Sequence, residues 1–121
     1  MLWQMYRMHE LSVCQSMLRQ VQELAFENHA RTITAINLQI GPLSGVEPQL
    51  MNQAFPIASR DSIAANATLV IETMPIRVHC DACNTDSDAT MNDLSCRACG
   101  NTLTQLIGGD EILLTDIELE R

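Results

Sequence analysis

Cys80-x2-Cys83 is followed by twelve residues and then by Cys96-x2-Cys99, and this pair of knuckles constrains the chain more than any other feature. Two thiols three residues apart on a tight turn can occupy two corners of a tetrahedron, and a second knuckle closes it. Between the cysteines the 80–99 segment is filled with Asp, Asn, Ser and Thr, with Met91 and Leu94 almost its only large apolar side chains. Such a segment cannot bury enough surface to offset an ordering cost of ~1–2 kcal/mol per residue, so it needs a staple. Four thiolates on one Zn2+ leave no coordination position open, which predicts a structural site rather than a catalytic one. Iron in a rubredoxin-like site and a pair of redox disulfides are the competing readings of the same residues. Gly100, directly after the second knuckle, suits a turn of positive φ. His79 precedes the first knuckle and reads either as an exposed strand residue or as a substitute ligand or pH-sensitive neighbour of the cluster.

The rest of the composition narrows the class. A length of 121 residues with 46% hydrophobic side chains allows one domain, or one domain with a small inserted module. The chain is too apolar for a disordered acidic tail. No stretch approaches the ~18 apolar residues that a membrane-spanning helix needs. A net charge of −8 argues against nucleic acid as a partner. All basic residues are Arg, which removes any mechanism built on a catalytic lysine. No nucleophile–base pair and no phosphate-cradling glycine loop stands out, so an enzyme is not expected. Five thiols without a recognisable secretory signal point to a reducing cytoplasm, where thiol clusters bind metal more often than they form disulfides.

Hydrophobic spacing outlines the fold. Residues 1–7, which hold the only Trp and Tyr, read as an N-terminal extension, a misassigned start ahead of Met8, or a sticky segment that covers a sheet edge or a partner. Residues 11–29 predict an amphipathic helix, with Leu11, Cys14, Leu18, Val21 and Ala25 on one face, widened by Met17 and Leu24. Cys14 lies in that stripe and reads as a small buried hydrophobe or, alternatively, as a reactive thiol. Residues 32–40 alternate as a half-buried strand, and 48–58 predict a second helix with Pro48 in its first turn and Pro56 kinking or ending it near Phe55. Residues 68–74 form another strand. Two more, 103–107 and 111–119, flank Gly108-Gly109, a two-residue hairpin signal.

These elements predict an α+β fold: two helices on a small mixed sheet, with a zinc-ribbon-like module inserted before the last strand. The expected division is 8–76 with 106–121 as one domain and 77–105 as the zinc-binding module. Inter-domain strands of this length also permit exchange into a homodimer.

The sequence resembles the HypA/HybF family of hydrogenase nickel-incorporation proteins over residues 8–121. The resemblance rests on Met8-His9-Glu10-Leu11-Ser12, Ile40-Gly41-Pro42-Leu43-Ser44-Gly45-Val46, Ala54-Phe55, Leu69-Val70-Ile71-Glu72, the four cysteines, and Gly109-Asp110-Glu111-Ile112. It implies a nickel metallochaperone that delivers Ni2+ to the large subunit of [NiFe]-hydrogenase with the GTPase HypB, some members also feeding urease. It places the nickel ligand at His9, after Met8, with Glu10 beside it and zinc on Cys80, Cys83, Cys96 and Cys99. Glu47 reads either as a carboxylate stabilising a helix N-terminus or as an acidic residue near the nickel site.

Chemistry supports a nickel site there on one condition. A chain starting Met-His offers the terminal amine, the His amide nitrogen and the imidazole as adjacent donors, which suits Ni2+. A carboxylate such as Glu10 could add an axial or outer contact. Here seven residues precede Met8, so either initiation occurs at Met8 or nickel is held more weakly by His9 with carboxylates or waters. A zinc-ribbon adaptor in nucleic-acid or protein complexes is the rival class, and it predicts a basic knuckle surface. The 77–99 stretch instead sets Arg77 and Arg97 against Asp81, Asp86, Asp88 and Asp93. A dithiol oxidoreductase is a third reading, and it requires an exposed thiol of low pKa.

Overall fold

The computed structural model describes residues 2–121, with side chains from residue 9 onward. The elements run α1 (Leu2–Glu27), β1 (Thr32–Ile40), α2 (Pro48–Ala58), β2 (Thr68–Thr73), β3 (Ile76–Cys80), β4 (Thr85–Ala89), β5 (Thr104–Gly108) and β6 (Ile112–Glu120). They form two three-stranded sheets, ordered β2-β1-β6 and β4-β3-β5. The chain divides into two compact units: 1–38 with 46–71 and 114–121, and 39–45 with 72–113. The predicted α+β class holds, with the 32–40 strand at the centre of the first sheet and the 68–74 and 111–119 strands at its edges.

In the first unit α1 packs against α2. The buried face of α1 is Cys14, Met17, Leu18, Val21 and Ala25, and it meets a core that includes Ile33, Ile36, Leu38, Met51, Ala54 and Phe55. At the N-terminal end of this stripe stands Glu10, buried, while Leu11 is only partly covered. The helix begins well before residue 11, since residues 2–10 contain neither Gly nor Pro to interrupt it. It ends at Glu27: His29 turns left-handed at φ 58°, and the Ala30 N–H reaches back to the Ala25 carbonyl at 2.9 Å, a Schellman closure. α2 passes through Pro56 to Ala58 rather than stopping at Phe55. Proline removes only its own donor, and one turn on the Ser59 N–H bonds the Phe55 carbonyl at 2.9 Å, so the last turn survives.

In the second unit β3 is the central strand. It pairs antiparallel with β4, where Cys80 opposes Thr85, and with β5, where Cys80 opposes Thr104. The expected hairpin around Gly108-Gly109 does not form, because β5 and β6 belong to different sheets. The glycines serve a crossing of backbones instead. The Leu43 N–H donates to the Gly109 carbonyl at 2.8 Å and the Gly41 N–H to the Glu111 carbonyl at 2.8 Å. A Cβ on Gly41 would lie 2.2 Å from the Gly109 carbonyl oxygen, and one on Gly109 would lie 2.7 Å from the Ile76 Cα.

Two outcomes follow from this packing. Gly41→Ala is expected to lower stability by about 2 kcal/mol or more through the forced backbone shift. Gly108→Ala, whose Cβ meets Arg77 at an ordinary 3.6 Å, should change little; denaturant midpoints at fixed metal loading read both. Separately, burial and then the nearby Glu10 carboxylate push the Cys14 thiol from 9.0 up to about 11. The unfolded thiol therefore ionises first, and the folded state loses stability as pH rises from 9 towards 11, by about 3 kcal/mol at most. Cys14→Ala should flatten that alkaline limb of the stability–pH curve.

Candidate metal centre

The turn from β3 to β4 carries the first knuckle, with Cys80 ending β3; the segment before β5 carries the second. In both, the second cysteine is followed at once by a left-handed residue, Asn84 at φ 56° and Gly100 at φ 80°. That reversal folds each knuckle so that its two sulfurs face the same way. The Gly100 N–H closes the second turn on the Cys96 carbonyl at 2.8 Å, and the Cys96 N–H donates to the Asn101 carbonyl at 2.9 Å. Upstream, Asp93 accepts from the Ser95 N–H at 3.0 Å and the Ser95 hydroxyl at 2.6 Å. The Thr104 hydroxyl ties β5 to the Leu94 carbonyl at 2.6 Å.

These turns bring all four predicted sulfurs together, within 4.8 Å of one another. Cys80 Sγ lies 3.6 Å from Cys99 Sγ, and Cys83 Sγ 3.6 Å from Cys96 Sγ. Disulfide sulfurs would be ~2.05 Å apart, and all four cysteines are free. A tetrahedron with metal–sulfur bonds of ~2.3 Å has edges of about 3.8 Å, so the cage fits a four-coordinate ion such as zinc. Cys80 and Cys96 are buried, and Cys83 and Cys99 exposed.

The free thiols are electrostatically ill-matched to one another. The Cys99 backbone N–H, foremost, pulls the Cys96 thiol down. The Asn101 amide pulls the Cys99 thiol down too, but Cys80, burial, Cys83 and Cys96 together push it higher still. A dication resolves this conflict by neutralising the negative charge that closely spaced thiolates share. His79 takes no part in the cage: its Nδ1 lies 2.6 Å from Asp86 Oδ1 and its Nε2 3.5 Å from Asp81 Oδ1, and the Asp86 hydrogen bond raises its pKa.

The other predicted site residues lie in the first unit. His9 is exposed and Glu10 buried, and Met8's side chain lies outside the described residues. Glu10 and Glu47 are brought together: Glu10 Oε2 accepts from the Glu47 N–H at 2.9 Å. Glu47 is the N-cap of α2, accepting from the Gln49 N–H. Among the described residues the four cysteines are the only group of three or more His, Cys, Asp or Glu side chains whose ligand atoms converge. The spacing of the sequence missed Glu10's burial, although Glu10 stands four residues before Cys14 on the same stripe.

The fold and the sulfur cage define a metal-binding protein with a zinc-ribbon-like module. Comparison with known proteins specifies it further. The family model described as hydrogenase/urease nickel incorporation, metallochaperone, hypA matches residues 8–119. The hydrogenase maturation factor HypA of Nitrosospira multiformis is 40% identical over 112 residues, covering 93% of this chain and 97% of that protein. That of Aquifex aeolicus is 36% identical over 113 residues, covering 93% and 98%. The solution structure of the Ni metallochaperone HypA from Helicobacter pylori aligns with a TM-score of 0.68 at 25% identity, covering 92% of this chain and 97% of that one. The chain belongs to the HypA family of hydrogenase nickel-incorporation metallochaperones, which are maturation factors and not enzymes.

Removing the metal with a chelator is expected to unfold the β4-β3-β5 sheet, because for sites of this kind ~10–16 kcal/mol of apparent binding energy is folding energy. Amide exchange across residues 76–108 should rise to the unprotected rate, while α1 and the β2-β1-β6 sheet stay protected.

Proposed function

We propose that this chain carries Ni2+ as cargo, taking it at His9 and passing it on by protein–protein transfer, while Zn2+ stays on Cys80, Cys83, Cys96 and Cys99. One observation carries the reading: the four sulfurs close on themselves in one compact unit, while the imidazole of His9 stands exposed in the other. Thiolate cages suit zinc, and a zinc ion there supplies the cross-link that lets a polar segment fold. Nitrogen-rich, open sites suit nickel, and a carrier has to release what it binds.

In a chain beginning at Met8, the Met8 amine, the His9 amide nitrogen and the imidazole close adjacent chelate rings. In the longer chain the Met8 nitrogen is an amide, and His9 holds nickel with carboxylates or water. Glu47, exposed at this end of the first unit, is the carboxylate placed for that role, while Glu10 lies buried with its Oε2 on the Glu47 N–H. The partners of this reading are a HypB-type GTPase and the [NiFe]-hydrogenase large subunit, with urease maturation factors as further recipients, all in the cytoplasm. A homodimer formed by strand exchange belongs to the same reading. Neither nucleic acid nor a membrane has a part in it, in keeping with the net charge of −8 and with no described helix being long and apolar enough to cross a membrane.

The test is metal content and nickel titration of the wild type and of His9→Ala. Loss of nickel affinity by about tenfold or more, with stoichiometric zinc retained, is the expected result. Nickel that stays bound without the imidazole overturns the proposal. Chains beginning at Met1 and at Met8 should differ, the shorter binding more tightly and with a square-planar spectrum.

A further inference from the structure

Among the described residues Glu10 is the one buried charged side chain, only 1% exposed. Its Oε2 accepts from the Glu47 N–H at 2.9 Å, and its Oε1 has no partner among the described residues. No Arg or His among them forms an ion pair with it. A buried carboxylate without a cation is unfavourable unless something else stabilises it. Here the stabilising group is the N-terminus of α2, whose unpaired N–H groups and dipole favour an anion. Glu47 already caps that end with its own carboxylate on the Gln49 N–H. The helix start thus holds two carboxylates, one local and one delivered from α1.

The geometry separates Glu10 from its neighbour. Consecutive helical residues point about 100° apart, and His9 is exposed where Glu10 is buried. Glu10 instead shares a face with Cys14, one turn further along, whose thiol burial and the Glu10 charge both push up. Cys14 in turn packs on Met51 of α2, its Sγ 3.7 Å from Met51 Sδ.

We infer that Glu10 is a positioning residue and not a metal ligand: its carboxylate ties the part of α1 that carries His9 to the chain at Glu47, so that the imidazole and the Glu47 carboxylate are presented from one fixed end of the first unit. The inference rests on the nickel-carrier reading only for its cargo; the tie itself is independent of it.

The experiment compares Glu10→Gln and Glu10→Ala in the full chain with zinc bound, reading Glu47 amide exchange and titration with Ni2+. The Gln side chain keeps an oxygen for the Glu47 N–H. It should preserve slow exchange, an unchanged nickel absorption spectrum, and an affinity within about threefold of wild type, whereas loss of a ligating carboxylate costs ~10–100-fold. Ala should speed exchange at Glu47 by about tenfold or more as the helix end frays, and weaken nickel binding. If Gln abolishes nickel binding as His9→Ala does while Glu47 stays protected, Glu10 is a ligand and the inference is wrong. Unchanged protection in Ala removes the tie. A wild type that takes up no nickel defeats the carrier reading alone, and the exchange comparison still decides on Glu10.

Discussion

The convergence of four sulfurs is the constraint on which the second unit depends. Its strands have little else to hold them: β4 reads Thr-Asp-Ser-Asp-Ala, and the buried side chains of β3 are Ile76, Val78 and Cys80. A core of that size cannot offset the entropy of ordering some forty residues. The cysteines therefore do double duty. Cys80 and Cys96 are core residues by burial and ligands by chemistry, so the cage is part of the hydrophobic interior of this unit and not an ornament on its surface.

The first unit is organised by different physics. Apolar stripes on α1 and α2 and the buried residues of β1 supply a conventional core, and the one buried charge among the described residues, Glu10, sits where a helix N-terminus accepts it. The two units thus differ in what stabilises them, coordination in one and apolar burial in the other. That difference is what the proposed division of labour, one resident ion and one carried, would require.

Much of this was legible in the residues. The 3.6-residue period marked α1 and α2, alternation marked β1 and β6, and the 68–74 run closed by Pro75 marked β2. The C-x2-C spacing is enough by itself to place the cage on Cys80, Cys83, Cys96 and Cys99. What escaped had physical causes. β3 does alternate, as Ile76, Val78 and Cys80, but reading Cys80 only as a ligand hid its part in the pattern. β4 carries no large apolar residue and is held by register with β3 and by pairs such as Arg77 with Asp88, which no periodicity reveals. Gly108-Gly109 looked like a turn because glycine permits turns; here it permits close approach of backbones instead. Glu10 reads in the sequence as a carboxylate beside a nickel ligand, and only its position on the Cys14 stripe hints at its burial.

The backbone crossing at Gly41 and Gly109 carries a consequence for how this chain can vary. Neither position has room for a single methyl group, and each is blocked by main chain, which cannot rotate aside as a side chain could. A change at Gly41 cannot be compensated at Gly109, since there is nothing on Gly109 left to trim. Sequence drift and protein engineering alike therefore meet a fixed point here, while Gly108, one residue away, remains open to replacement.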